Sequence, residues 1–146
     1  MPKENKDQSK NHNHQCLSRE EVILKSINSN ERKVVNIKTA KFTPYDEEST
    51  GETGTSYIKL NPDMHRDVGF YIYKMEPGAS STPHQHGGAE EFYVIEGELT
   101  DNDGTVYTAG DVVWLAPGTE HNSYSENGCT VAVFSENRET SIAKDA

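Results

Sequence analysis

This sequence predicts an all-β domain, an antiparallel sandwich or barrel, on three observations. Short runs rich in Val, Ile, Tyr and Phe recur along most of the chain, as strands of a half-buried pleated surface require. Turn-forming clusters such as Asn61-Pro62-Asp63, Glu76-Pro77-Gly78 and Glu126-Asn127-Gly128 separate them at close intervals. No long 3.6-residue apolar period interrupts the series, which disfavours a parallel sheet with crossover helices.

Taken in chain order, residues 1–17 hold almost nothing that offsets the entropy of ordering, and a polar tail is expected there. His12, His14 and Cys16 in that tail have metal-like spacing but no scaffold to fix them. Residues 18–146 are expected to form a single domain with its core at about 66–136. Residues 17–24 predict one or two helical turns, with Ser18 as N-cap and Glu21 completing a weak capping box. Strands are expected at 34–37, 57–60, 70–75, 91–98, 106–107, 112–115, 122–124 and 130–134, with an acidic, Gly/Thr-rich loop at 44–56. Phe70-Tyr71-Ile72-Tyr73 is apolar on both faces, as in a strand between two packed layers. That pattern predicts a homodimer, unless an additional N-terminal strand covers the outer face.

The 146 residues carry a net charge of −10 and are 32% apolar, with part of the apolar deficit in the tail. Such a charge argues against nucleic acid and anionic membrane surfaces as partners, because phosphate binding needs a basic stripe. No apolar run has the length of a membrane span and the N-terminus has no signal-peptide core. Two cysteines are too few for a disulfide framework, and Cys129 reads as a buried, inert thiol. A cytoplasmic protein is the expectation.

The chemistry concentrates in His84-Gln85-His86-Gly87-Gly88-Ala89-Glu90. On a strand, residues two apart share a face, so His84 and His86 project together. Pro83 favours extended geometry on entry, and the glycine pair offers a tight reversal through positive φ. Glu90 then returns its carboxylate towards the imidazoles at the start of the next strand. His121, after Pro117-Gly118-Thr119-Glu120, enters from an adjacent strand if the barrel closes. Imidazole plus carboxylate suits a divalent metal with open positions, and leaves Fe, Mn, Zn and Ni all available. Glu91 competes with Glu90 for the ligand role. The six-residue gap to Gly97 favours Glu90, and alternation then turns Glu90, Phe92 and Val94 inward and Glu91, Tyr93 and Ile95 outward. His65 stands alone and reads as a loop histidine.

The ordered segments Gly78-(five)-His84-x-His86-(three)-Glu90-(six)-Gly97 and Gly110-Asp111-(five)-Pro117-Gly118-Thr119-Glu120-His121 resemble the two conserved motifs of the cupin superfamily. The second departs from the usual pattern in the adjacency of Pro117 and Gly118 and in Ser125, where an Asn is common. With Glu96-Gly97-Glu98, Asp103-Gly104, Ala109-Gly110 and Gly128-Cys129, the chain is most similar to the cupin module of ChrR-type anti-sigma factors and its stand-alone relatives. The resemblance implies a double-stranded β-helix, or jelly-roll barrel, here with extra N-terminal strands. It also implies His84, His86, Glu90 and His121 as metal ligands. Residues 1–60 hold nothing like the sigma-binding domain of those factors, so that role is not carried over.

Three functions remain open. A metal-dependent enzyme, dioxygenase-like, would act on a small organic substrate in a pocket that includes Tyr71, Tyr73, Phe92, Trp114 and Tyr124. A zinc-binding sensor or regulatory module would use the same ligands without catalysis. A barrel without metal would use none of them.

Overall fold

The computed structural model describes residues 23–45 and 52–142. The chain divides into two compact units, Met1–Val34 and Val35–Ala146. The described part of the first unit contains a single 3-10 turn, Ser29–Glu31. The expected tail at 1–17, most of the expected helical turn at 17–24 and residues 46–51 of the acidic loop lie outside the described residues. Residues 23 and 24 carry no regular structure.

The described part of the second unit is entirely strands and turns. In order they are β1 (Thr43–Pro44), β2 (Thr55–Ile58), β3 (Gly69–Met75), β4 (Ala79–Ser80), β5 (His84–Gln85) and β6 (Glu90–Asp101), then β7 (Val106–Thr108), β8 (Val112–Leu115), β9 (Glu120–His121), β10 (Ser123–Ser125), β11 (Cys129–Ser135) and β12 (Thr140–Ser141). All of the pairings are antiparallel.

The strand expected at 34–37 does not form. Asn36 turns the chain instead: its side-chain oxygen accepts the Lys38 N–H at 2.9 Å, and its carbonyl accepts those of Thr39 at 3.1 Å and Ala40 at 2.8 Å. A short polar side chain that bonds its neighbours' backbone outcompetes a ladder with no partner. The N-terminal strands are β1 and β2, the latter two residues earlier than expected.

The twelve-residue β6 is the spine of a curled nine-stranded sheet. Its first half pairs with β11 and β8, its second with β10 and β7. Beyond β11 follow β3, β2 and β1. A separate three-stranded sheet, β12-β5-β9, holds two of the histidines.

Period-two alternation places the core on one face of the large sheet. Tyr71, Phe92, Val94, Val131 and Val133 are buried and cluster with Met75, Leu99 and Cys129. Residues of opposite parity, Phe70, Tyr93, Trp114 and Phe134, are exposed. The inward and outward assignments of Glu90 to Val94 are those the sequence predicts. Cys129 is buried, and burial chiefly pushes its thiol pKa up, which keeps it protonated and inert.

At Gly97 the backbones of β6 and β11 come unusually close. Gly97 has φ +78°, and a Cβ there would overlap the Gly128 carbonyl oxygen and lie 2.8 Å from the Cys129 Cα. The register between the two strands shifts just beyond, between Thr130 and Val131. Only glycine accepts both the backbone angle and the approach.

Candidate metal centre

The site is assembled by register. In the small sheet β5 lies between β9 and β12, and His84 is paired directly with His121. Beyond β5 the chain stays locked to the same neighbour: the His86 N–H donates to the Thr119 carbonyl at 2.9 Å, and the Gly118 N–H to the His86 carbonyl at 2.8 Å. His84 and His86 are buried while the intervening Gln85 is exposed, as alternation requires. The three imidazole rings meet with centroids 5.0 Å (His84–His86), 4.7 Å (His84–His121) and 4.7 Å (His86–His121) apart.

In each ring Nδ1 is tied to an acceptor, which leaves Nε2 for the centre. His84 Nδ1 donates to the Thr82 carbonyl at 2.7 Å, and His121 Nδ1 to the Asp101 carboxylate at 3.1 Å. His86 Nδ1 lies 2.9 Å from Thr119 Oγ1, which gives its own proton to the Ala116 carbonyl at 2.7 Å and therefore accepts from the ring. Fixing the outer nitrogen in this way presents a lone pair at the inner one, the arrangement of metal-binding histidines.

His86 Nε2 is buried and has no hydrogen-bond partner among the described residues. It lies 3.4 Å from Glu90 Oε2, close enough for charge to act but without the alignment of a hydrogen bond. Glu90 is buried, and Ser135, its partner across β6 and β11, donates Oγ–H to Oε2 at 3.2 Å. Glu91 is exposed. One donor atom from each of His84, His86 and His121 lies within 4.8 Å of the others, and the same holds for His84, Glu90 and Glu139.

The glycine pair acts differently from the sequence expectation. Neither Gly87 nor Gly88 has positive φ. Each is instead a place of close approach: a Cβ at Gly87 would overlap the Arg138 carbonyl oxygen, and one at Gly88 would come 2.8 Å from Glu136 Cβ. Residues 136–138 run directly over the pair, β12 pairs with β5, and Glu139 arrives with Oε2 3.2 Å from His84 Nε2.

The charges are arranged unequally. Burial raises the Glu90 pKa, but the contact with His86 and the neighbouring imidazoles outweigh it, and the carboxyl ends below its ordinary range. Burial lowers His84, assisted by His121 and His86 against its bond to Thr82. His121 rises despite burial, because Asp101 favours its cation. Glu139 is pushed up to about 8, first by burial and then by Asp67, Glu90 and Glu52. Both shifts favour the uncharged forms and so weaken the ionic character of the Glu139–His84 contact.

Asp101 holds this end together. Oδ1 accepts from His121 and, at 2.6 Å, from Ser123 Oγ; Oδ2 accepts from the Tyr107 hydroxyl at 2.8 Å. Burial opposes its charge, but these bonds prevail and keep its pKa below the usual range.

Beside the histidines lies a cavity with about 60 Å³ open to water-sized groups. Tyr71, Tyr73 and Phe92 line it with Val131 and Val133, while His84, Glu90 and His121 form its polar end. Trp114 and Tyr124, named for the pocket from sequence, are 61% and 44% exposed and do not line it. Trp114 faces outward because β8 pairs it with Glu91. Tyr124 stands between the buried Ser123 and Ser125 on β10, so alternation turns it to the surface. Tyr45, Glu52 and Glu139 line the cavity without having been anticipated, and Asp101 is the orienting group that was missed.

A buried His₃/Glu cluster with prepared imidazole nitrogens, one of them orphaned, fits a divalent metal ion; the donor set leaves its identity open. A search of the curated proteins finds no match. Among solved structures, an acetylacetone dioxygenase from Acinetobacter johnsonii is similar at 16% identity and TM-score 0.65, covering 84% of each chain. The polyketide cyclase RemF from Streptomyces resistomycificus follows at 20% identity and TM-score 0.62, over 78% of this chain and 87% of that one. The anti-sigma factor ChrR, in complex with SigE of Rhodobacter sphaeroides, gives 17% identity and TM-score 0.54, over 67% of this chain and 49% of that one. At these identities the likeness is one of fold. The family described as the ChrR cupin-like domain matches residues 30–138, and the chain belongs to that family.

Proposed function

We propose that His84, His86, Glu90 and His121 hold a divalent metal ion, and that the adjoining cavity is the active site of a metal-dependent dioxygenase for a small organic molecule. The observation that carries this reading is the position of the cluster: buried, with imidazole nitrogens prepared for a metal, at the polar end of an aromatic-walled cavity. A bound iron or manganese ion would supply Lewis acidity and a route for electrons to O₂. The chain supplies the rest. Tyr71, Phe92, Val131 and Val133 exclude water from the reacting volume, and the Tyr73 hydroxyl is held at 3.1 Å by Glu52.

The likeness to an acetylacetone dioxygenase supports a small β-dicarbonyl compound as the substrate class. We take the curled sheet and the small sheet as the two sides of a closed jelly-roll barrel.

The test is elemental analysis of protein purified without an affinity tag, followed by O₂ uptake with β-dicarbonyl and small aromatic compounds. Substrate-dependent O₂ consumption by the iron or manganese form is expected. Bound zinc with no uptake under any metal would instead support the sensor reading, which membership of the ChrR family favours.

Asp101→Asn removes the charge behind His121 without altering a proposed ligand. Metal affinity is expected to fall by about 10- to 100-fold, measured by competition with a chromophoric chelator.

The exposed face of the large sheet supports a homodimer. In register across β3, β11, β6 and β8 stand Phe70, Phe134, Glu91 and Trp114, and beside them Ile72, Ala132, Tyr93 and Val112. Of these eight, only Glu91 is charged, on a chain whose net charge of −10 repels a second copy elsewhere. Trp114→Glu is expected to convert a dimer to a monomer in sedimentation velocity; an unchanged dimer would place the interface elsewhere.

A further inference from the structure

We propose that Glu139 is a fifth protein donor to the metal, delivered over the cluster by the C-terminal segment seated on Gly87 and Gly88. The inference rests on the metal-site reading above. Two independent features support it.

The first is donor geometry. His84 belongs to two overlapping sets of potential ligands, His84/His86/His121 and His84/Glu90/Glu139, each with donor atoms within 4.8 Å of one another. Glu139 Oε2 stands 3.2 Å from His84 Nε2, and the carboxylate lines the same cavity as Glu90 and His121. One ion bound by His84 through Nε2 is therefore within reach of both carboxylates.

The second is the seat. Residues 136–138 pass so close to Gly87 and Gly88 that neither position has room for a Cβ. The Glu136 N–H donates to the Ala89 carbonyl at 3.0 Å, and the Ile142 N–H to the Pro83 carbonyl at 3.0 Å. Between these two bonds Thr140 is paired with Gln85 and Ser141 with His84. The segment is pinned on both sides of Glu139, directly against the strand that carries two of the histidines. The glycine pair thus serves a long-range contact and not a local reversal.

Five protein donors leave one position on a six-coordinate ion, where four leave two. A substrate and a second small ligand bind together only when Glu139 withdraws.

The experiment is water-proton relaxation of the Mn(II)-loaded protein, which counts exchangeable waters on the ion. The wild type is expected to hold one water. Glu139→Ala should hold two, so that inner-sphere relaxivity is about doubled. Gly87→Ala, which keeps every donor but unseats the segment, should move in the same direction. Thermal unfolding of Glu139→Ala checks that the fold is retained. Relaxivity of Glu139→Ala equal to that of the wild type, with Mn(II) bound in both, would overturn the role of Glu139 and leave the four-ligand site standing. A wild type that binds no Mn(II), Fe(II) or Zn(II) would remove the metal centre and this role with it.

Discussion

His86→Ala is expected to weaken binding of a divalent metal by at least about 100-fold, a greater loss than the upper range for an outer-sphere partner. The reason is the condition of the side chain. His86 is 4% exposed, its Nδ1 is committed to Thr119, and its Nε2 has no hydrogen-bond partner among the described residues. Leaving a buried polar atom in that state costs about 1–3 kcal/mol. A metal bond relieves the cost, so the ring is arranged for the ion and not for the metal-free protein. Two consequences separate this account from a packing role. First, the metal-free variant should unfold near the wild-type temperature, because the lost contacts are offset by removal of the orphaned nitrogen. Second, the variant should lose the stabilisation that metal confers, which is about 2.7 kcal/mol at a metal concentration 100 times the dissociation constant. Gln85→Ala is the control. Gln85 is exposed and its side-chain amide donates to the Gly118 carbonyl at 3.3 Å, away from the cluster, and its replacement should leave affinity within a few-fold. Chelator competition and thermal unfolding with and without metal measure all of these.

The second large effect is on stability. Gly97→Ala is expected to cost about 3 kcal/mol or more, from left-handed backbone strain together with overpacking. Against a typical domain stability of about 5–15 kcal/mol, that is enough to endanger folding. The obstruction consists of backbone atoms, the Gly128 carbonyl and the Cys129 Cα, which move only if β6 and β11 part. Gly104→Ala provides the contrast. Its φ of +87° is similar, but nothing lies within 4 Å of the added carbon, and about 1 kcal/mol of conformational strain is the whole expected cost. Urea unfolding of both variants tests the difference. Equal losses would mean that the Gly97 contact is relieved without disturbing the sheet.

What was legible in the sequence follows from local rules. Alternation put His84 and His86 together, and the spacing to Gly97 placed Glu90 rather than Glu91 at the inward start of β6; both residues lie where that parity requires. The all-β class follows from short runs of strand-forming residues between turn formers, which need no tertiary information. What the sequence concealed is what register decides. Asp101 reaches His121 only because β6 continues three residues beyond its expected end at 98 and pairs Asp101 with Ser123. Glu139 enters the site through a two-residue strand whose partner lies more than fifty residues earlier. Trp114 looked like a pocket aromatic, but its pairing with the outward Glu91 fixes it on the surface, and that pairing cannot be read along the chain. The 34–37 run failed for a local reason. Asn36 advertised a turn that the surrounding valines and isoleucine masked.

The most direct test of the metal centre is anomalous diffraction from a crystal of the chain loaded with Mn(II), Fe(II) or Zn(II). One strong peak per chain is expected, bonded to imidazole nitrogens of His84, His86 and His121 and to a carboxylate oxygen of Glu90. A loaded crystal with no peak among these four side chains, or with the ion held elsewhere, would contradict the account.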